Sequence, residues 1–344
     1  MKLAITGGAG FLGCHLCNAF TDNYEEISIL DIAPINFKEY PKNAKYINID
    51  VRDSERLNRV LNRVDTVIHA AAALPLWRKK DIFDINVRGT QNVLESAVKN
   101  NIEKVVYVSS TAVYGVPKKH PIYEDDPLVG VGPYGESKIR AEKICSGYRK
   151  KGLCVPIVRP KSFIGIGRLG VFQILYDWVE SGKKIPIIGN GKNRYQLLEV
   201  EDLTDIISLL IAASFDKAND TFNVGTDKFN TVLEDLGSLC DYAGTGARVL
   251  PTPAWVVKSL LAFFELINLS PLYKWIYGTA DKDSFVSIEK AKDRFGWLPK
   301  YSNSEALIKS YRWYVEHKDE LSGTGITHRV AWSQGILALL KRFL

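Results

Sequence analysis

The sequence predicts an α/β protein with a doubly wound parallel sheet and a smaller carboxyl-terminal substrate lobe. Short apolar runs alternate with helix-length segments in the first half of the chain, which is typical of parallel strands joined by helices. The runs are almost continuously apolar, as expected of strands covered on both faces. A glycine-rich turn follows the first run. The runs are LAIT, ISILD, YINID, TVIHA, VVYVSS and VPIVR.

Four segments between these runs have the length and periodicity of helices: 11–21, 54–62, 82–100 and 134–150. Beyond residue 160, glycine and proline become frequent, and longer loops separate further predicted helices at 202–213 and 232–242. We therefore predict three regions. A nucleotide-binding domain covers 1–160, a substrate-binding lobe partly interleaved with the sheet covers 161–325, and an amphipathic tail covers 326–344.

Composition is that of an ordinary globular protein, since 46% of the 344 residues are hydrophobic and 24% are charged. The net charge of +6 is spread along the chain. A nucleic-acid-binding protein would concentrate basic residues in a stripe, so no nucleic-acid partner is expected. Because the first strand begins at residue 2, it leaves no room for a signal peptide, and a cytoplasmic location is expected.

The five cysteines are an odd number in a long chain and do not indicate a disulfide framework. Cys14 and Cys17 form a CxxC pair inside the first predicted helix. No second pair is present to complete a zinc site. We interpret both as small packing residues and expect no bound metal.

Two apolar segments stand apart from the predicted sheet. Residues 254–269 are too short to span a bilayer and contain Lys258 and Glu265. The final ten residues, GILALLKRFL, combine apolar and basic character, which fits a docked terminal helix, a partner-binding helix or a peripheral membrane anchor. We favour the docked helix and expect at most weak peripheral contact with a membrane.

The turn after the first strand reads TGGAGFLG and places Gly7, Gly10 and Gly13 three residues apart. This spacing allows a tight turn, close approach of the backbone to a pyrophosphate, and close packing of helix on strand. The helix that begins here presents free N–H groups to phosphates. A plain strand-to-helix turn is the alternative.

Asp31 ends the second predicted strand, where a carboxylate accepts hydrogen bonds from ribose hydroxyls. It would repel a 2′-phosphate, so NAD is favoured over NADP. Asp50 follows the third strand, with two roles open: contact with the adenine amino group or capping of the next helix. The run Ala70, Ala71 and Ala72 leaves room for a cofactor, or it begins a helix.

The segment PYGESK places Tyr134 and Lys138 four residues apart on one face of a helix opened by Pro133. A nearby ammonium favours the phenolate and makes the tyrosine a better general acid–base. Ser110 lies at the carboxyl end of the fifth strand and is placed to stabilise charge on a substrate oxygen.

These motifs together resemble the extended short-chain dehydrogenase/reductase superfamily, in its NAD-dependent epimerase/dehydratase branch, which has a Rossmann sheet. Further matching segments extend the resemblance to about 300 residues: DVRD at 50–53, HAAA at 69–72, NVRGTQNVLE at 86–95, RP at 159–160, EVEDL at 199–203 and KAKDRFGWLP at 290–299.

The resemblance implies that Tyr134 is the acid–base, that Lys138 orients the cofactor ribose and that Ser110 polarises the substrate. Asn86 is expected to support the site from behind. A small-molecule substrate and a homodimer are also expected. The expected NAD-binding residues are Gly7, Gly10, Phe11, Leu12, Gly13, Asp31, Asp50, Val51, Ala70, Ala71, Ala72, Asn86, Ser109, Tyr134 and Lys138.

The chain departs from sugar-nucleotide enzymes at three places. Ser162 stands where they usually carry an asparagine that contacts the diphosphate, and Tyr195 stands in the register of an arginine, although Arg194 is adjacent. Thr111 and Ala112 replace the Asp-Glu pair of dehydratases, which disfavours dehydration.

The 254–269 segment, rich in Trp, Phe, Leu and Val, resembles the apolar substrate-lobe segment of beta-hydroxysteroid-dehydrogenase-like relatives. This resemblance and the departures predict hydride transfer at a secondary alcohol or ketone of a bulky, largely apolar substrate. Sugar-nucleotide epimerisation is the alternative, because both reactions use the same catalytic residues. A non-catalytic NAD-binding scaffold is disfavoured because Ser110, Tyr134 and Lys138 are all present.

Overall fold

The computed structural model describes residues 1–266, 274–321, 329–330 and 341, without the side chains of 264–266 and 274–276. Its strands are β1 Lys2–Thr6, β2 Glu26–Asp31, β3 Ala44–Asn48, β4 Thr66–His69, β5 Lys104–Val108, β6 Ile157–Pro160, β7 Ser162–Ile164, β8 Lys184–Ile188, β9 Leu197–Glu199, β10 Thr221–Val224 and β11 Arg248–Thr252. Its α-helices are α1 Phe11–Ala19, α2 Ser54–Val60, α3 Lys79–Phe83, α4 Thr90–Lys99, α5 Gly132–Arg149, α6 Val171–Glu180, α7 Val200–Ala212, α8 Phe215–Ala218, α9 Val232–Ala243, α10 Ala254–Leu266, α11 Lys274–Thr279, α12 Glu289–Phe295 and α13 Asn303–His317.

Seven of the described strands form one parallel sheet in the order β10-β6-β5-β4-β1-β2-β3. The predicted doubly wound fold is confirmed. Strand order reverses between β1 and β4, and open parallel sheets bind ligands in the crevice at such a point. The seventh strand, β10, lies inside the range that we gave to the substrate lobe.

Helices cover both faces of the sheet, as the continuous apolar runs predict. Along β1, Leu3 and Ile5 join the core on one face, while Ala4 joins the core on the other. Every residue of β4, β5 and β6 is buried. This two-sided burial excludes water from the strands and gives the carboxyl ends of β1, β4 and β5 fixed positions.

The predicted helix 82–100 is interrupted in the structure. Helix α3 passes into one wide π-turn at Asp84–Gly89 before α4 begins at Thr90. A π-turn inside a helical stretch often marks a functional site. Periodicity alone predicts a continuous helix, because one inserted residue barely shifts the apolar stripe.

The smaller lobe packs α6, α9 and α13 around its own apolar cluster. The described residues of the tail contact both parts of the protein. Val330 accepts a hydrogen bond from Gly170 N–H (3.1 Å), and Arg329 donates to the carbonyl of Ala9 in the glycine turn (3.3 Å). Apart from Lys341, the predicted terminal helix at 335–344 lies outside the described residues. Residues 267–269 of the apolar segment lie outside them too. No described helix is long and apolar enough to cross a bilayer.

A buried ion pair joins α5 to the sheet. Arg159 of β6 donates to both carboxylate oxygens of Glu142, at 2.6 Å from Nη2 to Oε2 and 3.0 Å from Nε to Oε1. Both side chains are about nineteen-twentieths buried. Tyr114 receives a further bond from Arg159 (2.6 Å) and donates to Asn223 of β10 (2.7 Å). The pair therefore connects α5 with two neighbouring strands.

Arg159→Met is expected to lower the free energy of unfolding by about 3–5 kcal/mol, because it leaves the Glu142 carboxylate buried without a cation. Urea unfolding of the purified protein measures this. The control is Lys300→Met, which breaks the exposed pair with Asp205 and should cost at most about 1 kcal/mol. Equal losses in the two variants would contradict a structural role for the buried pair.

Candidate active site

The glycine turn has the backbone geometry that a pyrophosphate needs. Gly7 has a φ of +71°, and a Cβ there would lie 2.6 Å from the Ala71 nitrogen. A Cβ on Gly13 would lie 2.4 Å from the Gly7 carbonyl oxygen, so α1 packs directly on the turn. Helix α1 begins at Phe11, and Gly10 before it provides no side-chain cap. The first N–H groups of the helix are therefore placed to bind phosphate oxygens.

Asp31 lies beside this turn at the end of β2. Its carboxylate accepts hydrogen bonds from the N–H groups of Ala9 (3.0 Å) and Ala33 (2.9 Å). Burial raises the pKa of Asp31, and these two bonds oppose the rise. The carboxylate is thereby oriented next to the expected phosphate position, where a ribose would lie.

Asn86, in the π-turn, holds the backbone of the segment that follows β4. Its Oδ1 accepts from Ala73 N–H (2.7 Å), and its Nδ2 donates to the Ala73 carbonyl (3.2 Å) and to Ser137 Oγ (3.0 Å). Residues Ala70 to Ala72 run without helical structure, and the next helix begins only at Lys79. The alternative that the alanines begin a helix is wrong, and the run stays beside Gly7.

The Asp50 carboxylate forms an ion pair with Arg52 in the same turn. It receives three bonds from the Arg52 side chain, at 2.6 to 3.0 Å, and Arg52 holds its pKa below the ordinary value. The cap of α2 is Asp53, so the capping alternative is wrong. Val51 is buried, and its carbonyl accepts from Asn92 (3.0 Å).

Ser109 is also held by the protein itself. Its hydroxyl donates to Glu142 Oε1 (2.5 Å), and its N–H donates to the Val158 carbonyl (2.8 Å). The residue is 3% exposed. Its hydroxyl proton is therefore committed to the buried ion pair, and the acceptor positions of Oγ stay open for the cofactor role that we predicted.

Ser110, Tyr134 and Lys138 come together at the carboxyl end of β5. The Ser110 hydroxyl is close enough to the Tyr134 phenol to lower its pKa, and it accepts a hydrogen bond from Ala112 N–H (3.1 Å). The Lys138 ammonium donates to the Val108 carbonyl (2.8 Å) and lies 6.0 Å from the centroid of the Tyr134 ring. Both Tyr134 and Lys138 lie on α5, and Pro133 stands in its first turn, as predicted.

Burial shifts both titratable groups toward their neutral forms. It raises the pKa of Tyr134 to about 12, while the Ser110 hydrogen bond and the charge of Arg168 oppose the rise. It lowers the pKa of Lys138 to about 8, with Glu142 opposing. At neutral pH the phenol therefore holds its proton and the lysine is mostly a cation. Tyr134 must lose that proton before it can act as a base, and nearby positive charge favours this loss.

Two buried cations near this site were missed by sequence reasoning. The Arg168 guanidinium lies 5.3 Å from the centroid of the Phe11 ring, and its positive charge lowers the pKa of Tyr134. Lys161 is 4% exposed and follows β6 directly. Their segment, RPKSFIGIGR, has no periodicity that would signal burial of either charge. The only usable signal was the position of both residues after a sheet strand.

Ser162 and Tyr195, the two departures from sugar-nucleotide enzymes, contact each other. Their hydroxyl oxygens lie 3.0 Å apart. Among the described aromatic residues of 254–269, Trp255 is 76% and Phe263 57% exposed. The side chain of Phe264 lies outside the described residues. These rings therefore face away from the protein interior instead of filling it.

A family model described as the NAD dependent epimerase/dehydratase family matches residues 3–225. The chain belongs to this family. It is accordingly an enzyme of the extended short-chain dehydrogenase/reductase class, and its cofactor is NAD. The glycine turn, the uncapped start of α1 and the oriented Asp31 carboxylate all fit that cofactor.

The chain is 36% identical over 342 residues to the uncharacterized protein y4nG of Sinorhizobium fredii, covering 98% of this chain and 84% of that protein. It is 32% identical to a putative UDP-glucose 4-epimerase of Methanocaldococcus jannaschii, covering 90% and 97%. A UDP-glucose 4-epimerase of Thermotoga maritima, solved with UDP-glucose, has a similar fold. Its TM-score is 0.78 at 22% identity, covering 92% of this chain and all of that one.

NAD is expected to bind more tightly than NADP, because the Asp31 carboxylate accepts ribose hydroxyls and repels a 2′-phosphate. Titration calorimetry with both cofactors measures the difference. Asp31→Ala should weaken NAD binding and reduce the difference between the affinities for NAD and NADP. Equal or tighter binding of NADP by the unaltered protein would remove Asp31 from cofactor selection.

Proposed function

We propose that this enzyme inverts the configuration of a secondary alcohol carbon in a sugar nucleotide by transient oxidation. The observation that carries the proposal is the meeting of Ser110, Tyr134 and Lys138 at the sheet crevice, beside the turn that fits NAD. When bound, NAD supplies the acceptor and donor of a hydride. The residues around it must orient the alcohol and move its proton.

Tyr134 is the group that moves the proton. As the substrate carbon loses its hydride, the alcohol oxygen loses a proton to the Tyr134 oxygen, and Ser110 donates a hydrogen bond to the same substrate oxygen. The cations Lys138 and Arg168 favour the phenolate that this requires. The resulting ketone then takes the hydride back on its other face, while Tyr134 returns the proton.

Two findings support a sugar nucleotide over a bulky apolar substrate. One relative, 29% identical over 92% of this chain, is named a UDP-glucose 4-epimerase, and another, 32% identical over 90%, is named a putative one. The exposed rings of Trp255 and Phe263 give no support to an apolar cleft. Thr111 donates to the Pro160 carbonyl (3.3 Å), and no acid stands at 111 or 112, which disfavours dehydration.

The reaction type is tested with the NAD-loaded enzyme and a panel of uridine-, thymidine-, guanosine- and adenosine-diphosphate sugars. We expect one sugar nucleotide to interconvert with its epimer, seen by NMR, without accumulation of NADH at 340 nm. Net NADH formation from an apolar alcohol, with no epimer formed from any member of the panel, would replace this proposal with a dehydrogenase.

Tyr134→Phe should lower turnover on the order of a hundredfold or more, the usual contribution of a general acid–base. NAD binding should be nearly unchanged, because the phenylalanine ring still packs beside Lys138. Single-turnover kinetics measures the first effect and calorimetry the second. Tyr242→Phe is the matched control, because it removes an exposed hydroxyl on α9. A Tyr134→Phe turnover rate equal to that of this control would exclude Tyr134 from the proton transfer.

A further inference from the structure

Lys161 lies at the same sheet edge as the Ser110–Tyr134 site. Its N–H donates to the Val224 carbonyl (2.9 Å), and Thr111, the neighbour of Ser110, donates to the carbonyl of Pro160 (3.3 Å). These two bonds fix the start of the Lys161 side chain one strand away from Ser110. The residue is only 4% exposed, so its ammonium is held inside the protein.

The contacts of this ammonium are all neutral. Its Nζ donates to Ser284 Oγ (2.6 Å) and lies 4.8 Å from the centroid of the Tyr195 ring. The Tyr195 hydroxyl in turn meets Ser162 Oγ at 3.0 Å. The ammonium therefore contacts one hydroxyl and one aromatic ring, and two further hydroxyl groups meet at the edge of that ring. Each hydroxyl can turn to donate a hydrogen bond.

Two other buried lysines have contacts that account for them. Lys104 donates to three carbonyls at the end of α7, at 2.5 to 2.9 Å. Lys138 donates to the Val108 carbonyl and is stabilised by Glu142. Within the described ranges, no carboxylate forms an ion pair with Lys161. A buried charge without a counter-charge lowers stability, so such a residue is expected to have a use.

The charged groups nearby are placed so that an anion would meet little repulsion. The positive charge of Lys161 lowers the pKa of His120. The Arg194 guanidinium lies 4.5 Å from the centroid of the Phe229 ring. The Asp283 carboxylate, which raises the pKa of His120, is exposed and accepts from Arg194 N–H (2.8 Å). Burial lowers the pKa of Lys161 to about 7, and a bound anion would restore its charge.

We propose that Lys161 binds an anionic oxygen group of the substrate, a phosphate or a carboxylate, with Ser162, Tyr195 and Ser284 as further donors. Hydrogen bonds between an ammonium and such a group are among the stronger polar contacts. This inference rests on the proposed function and deepens it: the substrate is negatively charged close to the reacting carbon. Tyr195 stands in the register of an arginine of sugar-nucleotide enzymes, and the Lys161 ammonium supplies the positive charge that the tyrosine lacks.

Lys161→Met tests the inference in the NAD-loaded protein. Calorimetry with UDP, UDP-glucuronate and uncharged uridine measures binding without turnover, so its outcome is independent of the epimerase assay. We expect the variant to bind UDP about tenfold to a hundredfold more weakly, the scale of a charge-assisted hydrogen bond, with uridine unaffected. If the bound group is a sugar carboxylate, only UDP-glucuronate is weakened.

The matched control is Lys192→Met, which removes an exposed charge from the loop before Tyr195 and should leave every affinity unchanged. Thermal melting separates binding from structure: ligand-free Lys161→Met should melt at or above the wild-type temperature, because an uncompensated buried charge is gone. Unchanged affinity for both charged ligands, failure of the wild type to bind either, or a lower melting temperature of the variant would each overturn the inference.

Discussion

The buried carboxylate of Glu142 is the contact on which the geometry of the site depends. Tyr134, Lys138 and Glu142 are spaced four residues apart and lie along one face of α5. Glu142 anchors this face to Arg159 and Ser109, Lys138 reaches the Val108 carbonyl, and Tyr134 meets Ser110. The helix therefore has little freedom to slide or rotate, since each residue in the stripe has a different partner in β5, in β6 or just beyond β5. The position of the Tyr134 phenol therefore depends on an ion pair two helical turns away.

The sequence was a good guide wherever a local pattern had a local cause. Continuous apolar runs predicted six sheet strands, and the four-residue spacing placed Tyr134 and Lys138 on one face, because strand burial and helix geometry follow directly from such patterns. The spacing could not show that Ser109 serves Glu142 or that Asp50 serves Arg52. The first partner is brought close by tertiary packing and the second lies two residues away in the same turn, and a motif specifies neither contact.

Two features were beyond the reach of pattern reasoning for different reasons. The π-turn that holds Asn86 changes the hydrogen-bonding of the backbone while leaving the apolar stripe nearly intact, so periodicity cannot detect it. The burial of Lys161 contradicts the usual behaviour of lysine, which is almost never fully buried unless paired. Interpreting Ser162 and Tyr195 as the loss of polar groups favoured an apolar substrate. The neighbouring ammonium changes that interpretation, because a cleft that keeps a cation out of water is poorly suited to hydrocarbon.

The contact between Arg329 and the carbonyl of Ala9 spans 320 positions of sequence. The glycine turn, β1 and Asp31 are made early during synthesis, and β4 and Ala71, which pack beside them, follow within the first 71 residues. This half of the nucleotide site can therefore assemble while the rest of the chain is still being translated. Arg329 can join it only after the substrate lobe has left the ribosome. Its docking on the turn, together with the bond from Gly170 to Val330, therefore forms after both the turn and the substrate lobe have been synthesised. A chain that stalls in the lobe would form the turn without this last contact.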